Sequence, residues 1–212
     1  MTLSERYTAV IAWFEKNMPV AESELHYRNP YELLVAVILS AQCTDKRVNM
    51  VTPAFYKSFP TAKKLAEAEV DEIYEHIKSI SYPNNKAKNL KGMAVMLTEK
   101  FNSVLPSDVK TLQELPGVGQ KTANVVASIV YQKPVIAVDT HVFRVAKRIG
   151  LAKSTSKTPL EVEQQLEKNI PEPLRATSHH WLILHGRYVC VARKPKCEEC
   201  GLTECCKYFA GL

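Results

Sequence analysis

The stretch Leu115-Pro116-Gly117-Val118-Gly119-Gln120-Lys121-Thr122-Ala123 constrains this chain more than any other. Two glycines two residues apart let the backbone turn tightly and let another molecule approach where a Cβ would stand. The following residues, Thr122 to Val130, hold no breaker and are rich in Ala and Val, so the turn opens a helix. Backbone N–H groups at such a turn and helix start suit a phosphate. Lys121 falls in the first turn of that helix, so a polymer backbone held by the glycines runs close to its amine. The apolar run Pro134-Val135-Ile136-Ala137-Val138 follows and stops abruptly at Asp139. On residue chemistry alone Asp139 reads two ways: as the N-cap of the next helix, or as a charge set beside a reacting group.

The hydrophobic pattern is helical almost throughout. Met1 to Asn17 is amphipathic, with Leu3, Tyr7, Val10, Ile11 and Phe14 on one side. Asn29-Pro30 supplies an N-cap and an N1 proline for a run reaching Gln42. Helices are expected over Glu69 to Ile80, Ala87 to Phe101, Pro159 to Ile170 and Thr177 to Tyr188. Only Val135 to Val138 passes as a strand. The expected fold class is therefore all-α, in one or two small domains. The longest apolar run, Leu33 to Leu39, is too short to span a bilayer, and the N-terminus carries no secretory signal.

Lys and Arg outnumber Asp and Glu by 28 to 22, for a net charge of +6. That balance admits a polyanionic partner without requiring one. The clusters Lys46-Arg47, Lys86-x-Lys88-x-x-Lys91, Arg144-x-x-Lys147-Arg148 and Arg193-Lys194-x-Lys196 lie near the other motifs. Each taken singly reads equally as a solvated helix face.

Cys190, Cys197, Cys200 and Cys206 form a C-x6-C-x2-C-x5-C pattern. Thiolates spaced this closely suit a metal ion or an iron–sulfur cluster. Disulfides are disfavoured because nothing marks the chain as secreted. Structural zinc stays open, although common zinc sites use two C-x2-C pairs and only Cys197 and Cys200 form one. Cys43 lies far away and reads as a small core residue. His180 and His185 are five apart, about 140° around a helix, so they share no face and read as packing or hydrogen-bonding residues.

Taken together, these features resemble the endonuclease III family of helix-hairpin-helix DNA glycosylase/AP lyases. Ile38-Leu39-Ser40-Ala41-Gln42, Val138-Asp139-Thr140-His141-Val142-Phe143-Arg144-Val145 and His180-Trp181-Leu182-Ile183-Leu184-His185-Gly186-Arg187-Tyr188 are similar to family segments and stand in family order. The resemblance implies a two-domain helix-hairpin-helix glycosylase fold. A six-helix barrel would cover residues 22–133, and a helical iron–sulfur cluster domain would combine residues 1–21 and 134–212. Lys121 then matches the family's nucleophile and Asp139 its electrostatic partner. Gly117 and Gly119 match the hairpin that holds DNA phosphates, and Gln42 matches a residue that enters the space left by a flipped nucleotide. Ser81 and Tyr82 stand where the family typically has a glycine and an aliphatic wedge, so Tyr82 would wedge by stacking. Cys190, Cys197, Cys200 and Cys206 match the ligands of a [4Fe–4S] cluster, with Cys206 preferred over its neighbour Cys205 on spacing. Arg193, Lys194 and Lys196 would meet phosphates from a loop braced by that cluster.

The implied activity is base excision repair. Oxidised pyrimidines would be removed from duplex DNA and the strand nicked 3′ to the abasic site by β-elimination. The expected partner is double-stranded DNA with damaged bases or abasic sites, bound by a monomer with no membrane contact. The expected location is the prokaryotic cytoplasm, at the nucleoid. One alternative is an adenine-mismatch DNA glycosylase of the same superfamily, a group that usually lacks the lysine and carries an extra C-terminal domain. The other is a non-catalytic DNA-binding iron–sulfur protein, against which the joint presence of Lys121 and Asp139 argues.

Overall fold

The computed structural model describes residues 1–211, and among them all regular structure is helical. The α-helices are α1 (Leu3–Asn17), α2 (Pro30–Ser40), α3 (Asp45–Ser58), α4 (Ala62–Glu67), α5 (Val70–Ile77), α6 (Pro83–Phe101), α7 (Val109–Leu112), α8 (Gln120–Tyr131), α9 (Thr140–Ile149), α10 (Pro159–Asn169) and α11 (Arg175–Tyr188). The chain divides into two compact units. One is Ser23–Tyr131, and the other joins Met1–Glu22 to Gln132–Leu212. No helix among the described residues is long and apolar enough to cross a membrane.

In the unit Ser23–Tyr131, α2 is apolar all round, and Leu33 to Leu39 are all buried. A helix of that kind belongs inside a core, and α2 packs against α3, α6 and α8. Its start is built as its sequence requires: the Asn29 side chain accepts from Glu32 N–H at 2.9 Å, and Pro30 stands in the first turn. The buried Glu32 carboxylate is satisfied by Arg28, whose Nη2 donates at 2.6 Å. α6 begins at Pro83, four residues before the expected Ala87, because a proline at the first helical position needs no N–H partner. α5 stops at Ile77, where the Ile80 N–H turns back to the Ile77 carbonyl at 2.8 Å. α3 runs on through Pro53.

In the unit formed by the two termini, Thr2 and Glu5 close a capping box at the start of α1. Tyr7, Val10 and Phe14 of α1 share one core with Val142, Val145 and Ile149 of α9, Val162 and Leu166 of α10, and Trp181 of α11. Phe14 and Trp181 stack with centroids 5.5 Å apart, and Trp181 Nε1 donates to the Met18 carbonyl at 2.8 Å. Leu3, expected on the apolar side of α1, is exposed at the helix's first position. Val135 to Val138 form no strand. A strand needs a ladder partner, and here side chains take that place: Ile136 N–H donates to Glu167 Oε1 at 3.2 Å, and the Ala137 carbonyl lies 2.7 Å from His179 Nδ1.

Candidate functional site

The hairpin between α7 and α8 closes by a bond from Val118 N–H to the Leu115 carbonyl at 3.0 Å. Gly117 has φ +82°, and a Cβ there would stand 3.0 Å from Asn89 Cβ, so the turn demands glycine twice over. Gly119 differs: a Cβ there would meet nothing within 4 Å. Nothing in the fold demands glycine there, and that side of the turn is open. The Gly119 carbonyl accepts from Ala123 N–H at 2.9 Å, the first rung of α8. Lys121 is the second residue of α8 and is exposed, and no acidic residue stands in that first turn. The positive end of the helix therefore meets no carboxylate of its own first turn, an arrangement that suits an anion.

In the other unit, half-buried Asp139 caps α9. Its Oδ1 accepts from both His141 N–H and Val142 N–H, each at 2.8 Å. Both bonds use one oxygen, and among the described residues Oδ2 has no hydrogen-bond donor. Capping and a free carboxylate oxygen thus coexist in one side chain.

Gln42 follows α2 and Tyr82 precedes α6. Both have left-handed backbone, with φ of 55° and 56°, and both side chains are exposed, Tyr82 by 62%. Lys194, at φ 52°, shares it, as do Asn102, Ser103 and Gln132 outside the candidate site. Non-glycine residues rarely adopt this conformation, and it concentrates at ligand clamps.

The basic clusters need correction. Several of their members, Lys86 buried and the others half-buried, are bound to backbone carbonyls. Lys86 Nζ donates to Leu39 and Ala41 carbonyls at 2.8 and 2.6 Å, and Lys91 Nζ to Ala66 and Ala68 carbonyls at 2.7 and 2.5 Å. Arg144 donates to the Gly186 carbonyl at 2.8 Å, and Lys147 to the Ser156 carbonyl at 2.7 Å. Arg148 holds the Val191 and Ala192 carbonyls at 2.8 and 2.9 Å. Helix ends leave carbonyls that a long cation can reach. Lys46, Arg47, Lys88, Arg193, Lys194 and Lys196 stay exposed, with Lys196 Nζ 4.0 Å from the Glu199 carboxylate.

Cys190, Cys197, Cys200 and Cys206 line one cavity of about 350 Å³, counting space that opens to solvent, with Ile149, Val189, Leu202 and Phe209 among its apolar walls. Among the described residues no three His, Cys, Asp or Glu side chains converge closely enough for a single metal ion. Four soft sulfur donors spread around a cavity of this size fit a multi-atom cluster. Burial pushes the Cys197 and Cys200 thiols up, and the neighbouring cysteines push the same way. As thiolates, these four would need a cationic centre between them. Cys205 does not line the cavity. It is buried, its Sγ lies 3.3 Å from the Leu202 carbonyl, and its own carbonyl accepts from Arg6 Nε at 2.8 Å.

Two residues read in the sequence only as a basic-cluster member and as a packing or hydrogen-bonding histidine stand beside these sulfurs. Arg148 Nη1 lies 3.6 Å from Cys190 Sγ, and His185 Nε2 lies 3.6 Å from Cys200 Sγ. Burial pushes His185 down to about 4, which keeps its ring neutral at pH 7. His180 is pushed down to about 4 by burial and then by Arg187.

Residues 35–172 match the family described as the HhH-GPD superfamily of base excision DNA repair proteins. An endonuclease III of Rickettsia felis is 49% identical over 92% of this chain and 91% of its own length. An endonuclease III of Escherichia coli K12 is 42% identical over 94% and 93%. A solved structure of a trapped endonuclease III–DNA covalent intermediate is 41% identical, with a TM-score of 0.94 over 100% of this chain and 99% of that one. The helical fold, the hairpin leading into Lys121 and the extent of these matches make one conclusion firm: this chain belongs to the endonuclease III family of the helix-hairpin-helix, Gly-Pro-Asp superfamily of base excision DNA repair proteins.

Proposed function

We propose that the protein is a bifunctional DNA glycosylase and abasic-site lyase that removes oxidised pyrimidines from duplex DNA. The observation that supports this reading is the hairpin: Gly119 is open, the first turn of α8 holds no acidic residue, and Lys121 is exposed in it, so a phosphate backbone held at the hairpin would run near its amine. A relative 41% identical over the whole chain forms a covalent intermediate with DNA, as an amine nucleophile would.

A damaged base inside a duplex is out of reach, so its nucleotide flips out. Gln42 enters the vacated space and offers its amide to the orphaned base, while Tyr82 stacks into the strand. The Lys121 amine, having shed its proton, attacks C1′ of the sugar. The bond from C1′ to the base breaks and the base leaves with its electron pair. Loss of a proton and ring opening give a Schiff base between Nζ and C1′, and elimination of the 3′ phosphate nicks the strand. The free Oδ2 of Asp139 serves the step in which positive charge grows on the sugar. Cys190, Cys197, Cys200 and Cys206 would hold a [4Fe–4S] cluster that supplies a structural brace. Arg193, Lys194 and Lys196, on the loop between the first two cysteines, would then meet phosphates.

The test is incubation with duplexes that each bear one defined lesion, resolving products before and after alkali. Oxidised pyrimidines should be released with strand nicks already present before alkali. Release of adenine from mismatches, with nicks only after alkali, would replace this reading by the adenine-mismatch one.

A further inference from the structure

The carbonyls at the end of α2 have complete partners. Val37 accepts from Ser40 Oγ at 2.9 Å, Ile38 from Ala41 N–H at 3.4 Å, and Ser40 from Cys43 N–H at 3.0 Å. The remaining two, Leu39 and Ala41, both accept from Lys86 Nζ, at 2.8 and 2.6 Å. A cation suits the negative end of a helix, but this one comes from a different helix, 45 residues further along the chain. Lys86 is only 6% exposed, and burial pulls its pKa below the ordinary lysine value. Its backbone N–H donates to the Tyr82 carbonyl at 3.2 Å, closing the first turn of α6. A single residue therefore grips both left-handed turns, one through its main chain and one through its amine.

We infer that Lys86 is a positioning residue that fixes the spacing between Gln42 and Tyr82, so that the two side chains enter an opened duplex as a pair. This rests on the reading that Gln42 and Tyr82 meet the flipped-out site. Each turn has little of its own to hold it: Tyr82 makes no side-chain cap bond to α6, and the Gln42 turn, closed by the Cys43 N–H bond to the Ser40 carbonyl, follows a helix with no basic residue in its last turn. Left-handed backbone at a non-glycine residue persists only where its surroundings over-determine it. On the Gln42 side the amine adds to the Ser40–Cys43 backbone bond by holding the Leu39 and Ala41 carbonyls, and one turn of helix links that grip to Tyr82. Recognition of the base opposite the lesion is the step that needs the spacing, because one side chain must reach that base while the other fills the stack.

The test compares nicking at an abasic site opposite guanine with nicking opposite a second abasic site, where no base is left to contact. Lys86→Met keeps the length of the side chain and removes its donors. It should lower kcat/KM opposite guanine by about 10- to 100-fold, the scale of an ångström-sized misplacement, and opposite a second abasic site by less than about threefold. Lys86→Arg, which restores a donor, should recover part of the selective loss. Equal losses on both substrates would overturn the proposal and leave Lys86 a support of the fold alone. A wild-type protein that nicks neither substrate would remove the underlying reading and this proposal with it. Should Lys86→Met not fold, Gln42→Ala and Tyr82→Ala combined in the Lys86 protein decide the matter. A fixed pair gives a double variant whose loss departs from the product of the single losses, and agreement within about twofold would overturn the proposal.

Discussion

Asp139→Asn separates the cap that Asp139 makes from its proposed role at the sugar. The cap uses Oδ1 alone, which accepts from His141 and Val142 N–H at 2.8 Å. An asparagine carbonyl oxygen accepts the same two bonds, so α9 should lose only the favourable placement of a negative charge at its start, about 0.3–1 kcal/mol. In a chain of this length that is a fall in Tm of about 1–4 °C. Asp139→Ala removes the acceptor itself and should cost about 1–2 kcal/mol. Catalysis should order the variants differently. Both lack the negative Oδ2 that the proposed mechanism sets against the charged sugar, so both should lose about 10²- to 10⁴-fold in turnover, the range for a positioned acid–base group. The assay is single-turnover base release with protein in excess, beside thermal melts and binding of a non-cleavable duplex, which should hardly change. Near-normal release by Asp139→Asn together with a loss in Asp139→Ala would show that Asp139 acts only by starting α9.

Three further outcomes follow from the geometry. Protein purified gently should be yellow-brown with about four iron atoms per chain. Cys206→Ser should lower the yield of folded protein while Cys205→Ser keeps the iron, and stoichiometric zinc without iron would contradict the cluster. Gly119→Ala, with nothing within 4 Å of the added Cβ, should melt normally yet bind duplex DNA more weakly, whereas Gly117→Ala, at φ +82° and 3.0 Å from Asn89 Cβ, should melt lower by about 1–3 kcal/mol of strain. Lys194→Glu should weaken binding to all duplexes alike and flatten the salt dependence by about one unit; an unchanged slope would mark the loop as a solvated surface.

Sequence periodicity locates α1, α2, α10 and α11 to within a few residues, because each buries an apolar face, and the first three also carry a start signal. Asn29 with Pro30 and Thr158 with Pro159 are such signals. Where tertiary partners decide, it fails. α3 runs through Pro53, a residue that argues against a helix interior. Val135 to Val138 have strand composition, yet Glu167 and His179 meet their backbone where a ladder would. A lysine reads as a solvated or phosphate-facing charge until the fold shows which carbonyls it reaches, so Lys86, Lys91 and Arg148 were hidden inside basic clusters. The cysteine spacing and the Gly-x-Gly hairpin were legible because a few neighbouring residues carry all of the geometry. The left-handed turns at Gln42, Tyr82 and Lys194 were not, because no glycine marks them.

The most direct test of the central claim is borohydride trapping during turnover. A Schiff base between Lys121 Nζ and the sugar is reduced to a stable amine, leaving protein covalently attached to DNA. Wild-type protein should give that adduct, and Lys121→Gln should give neither adduct nor nick while melting as the wild type does, since Lys121 is exposed and adds little to any core. An adduct formed by Lys121→Gln at the wild-type rate would assign the chemistry to another amine, the N-terminus first, and would contradict the account.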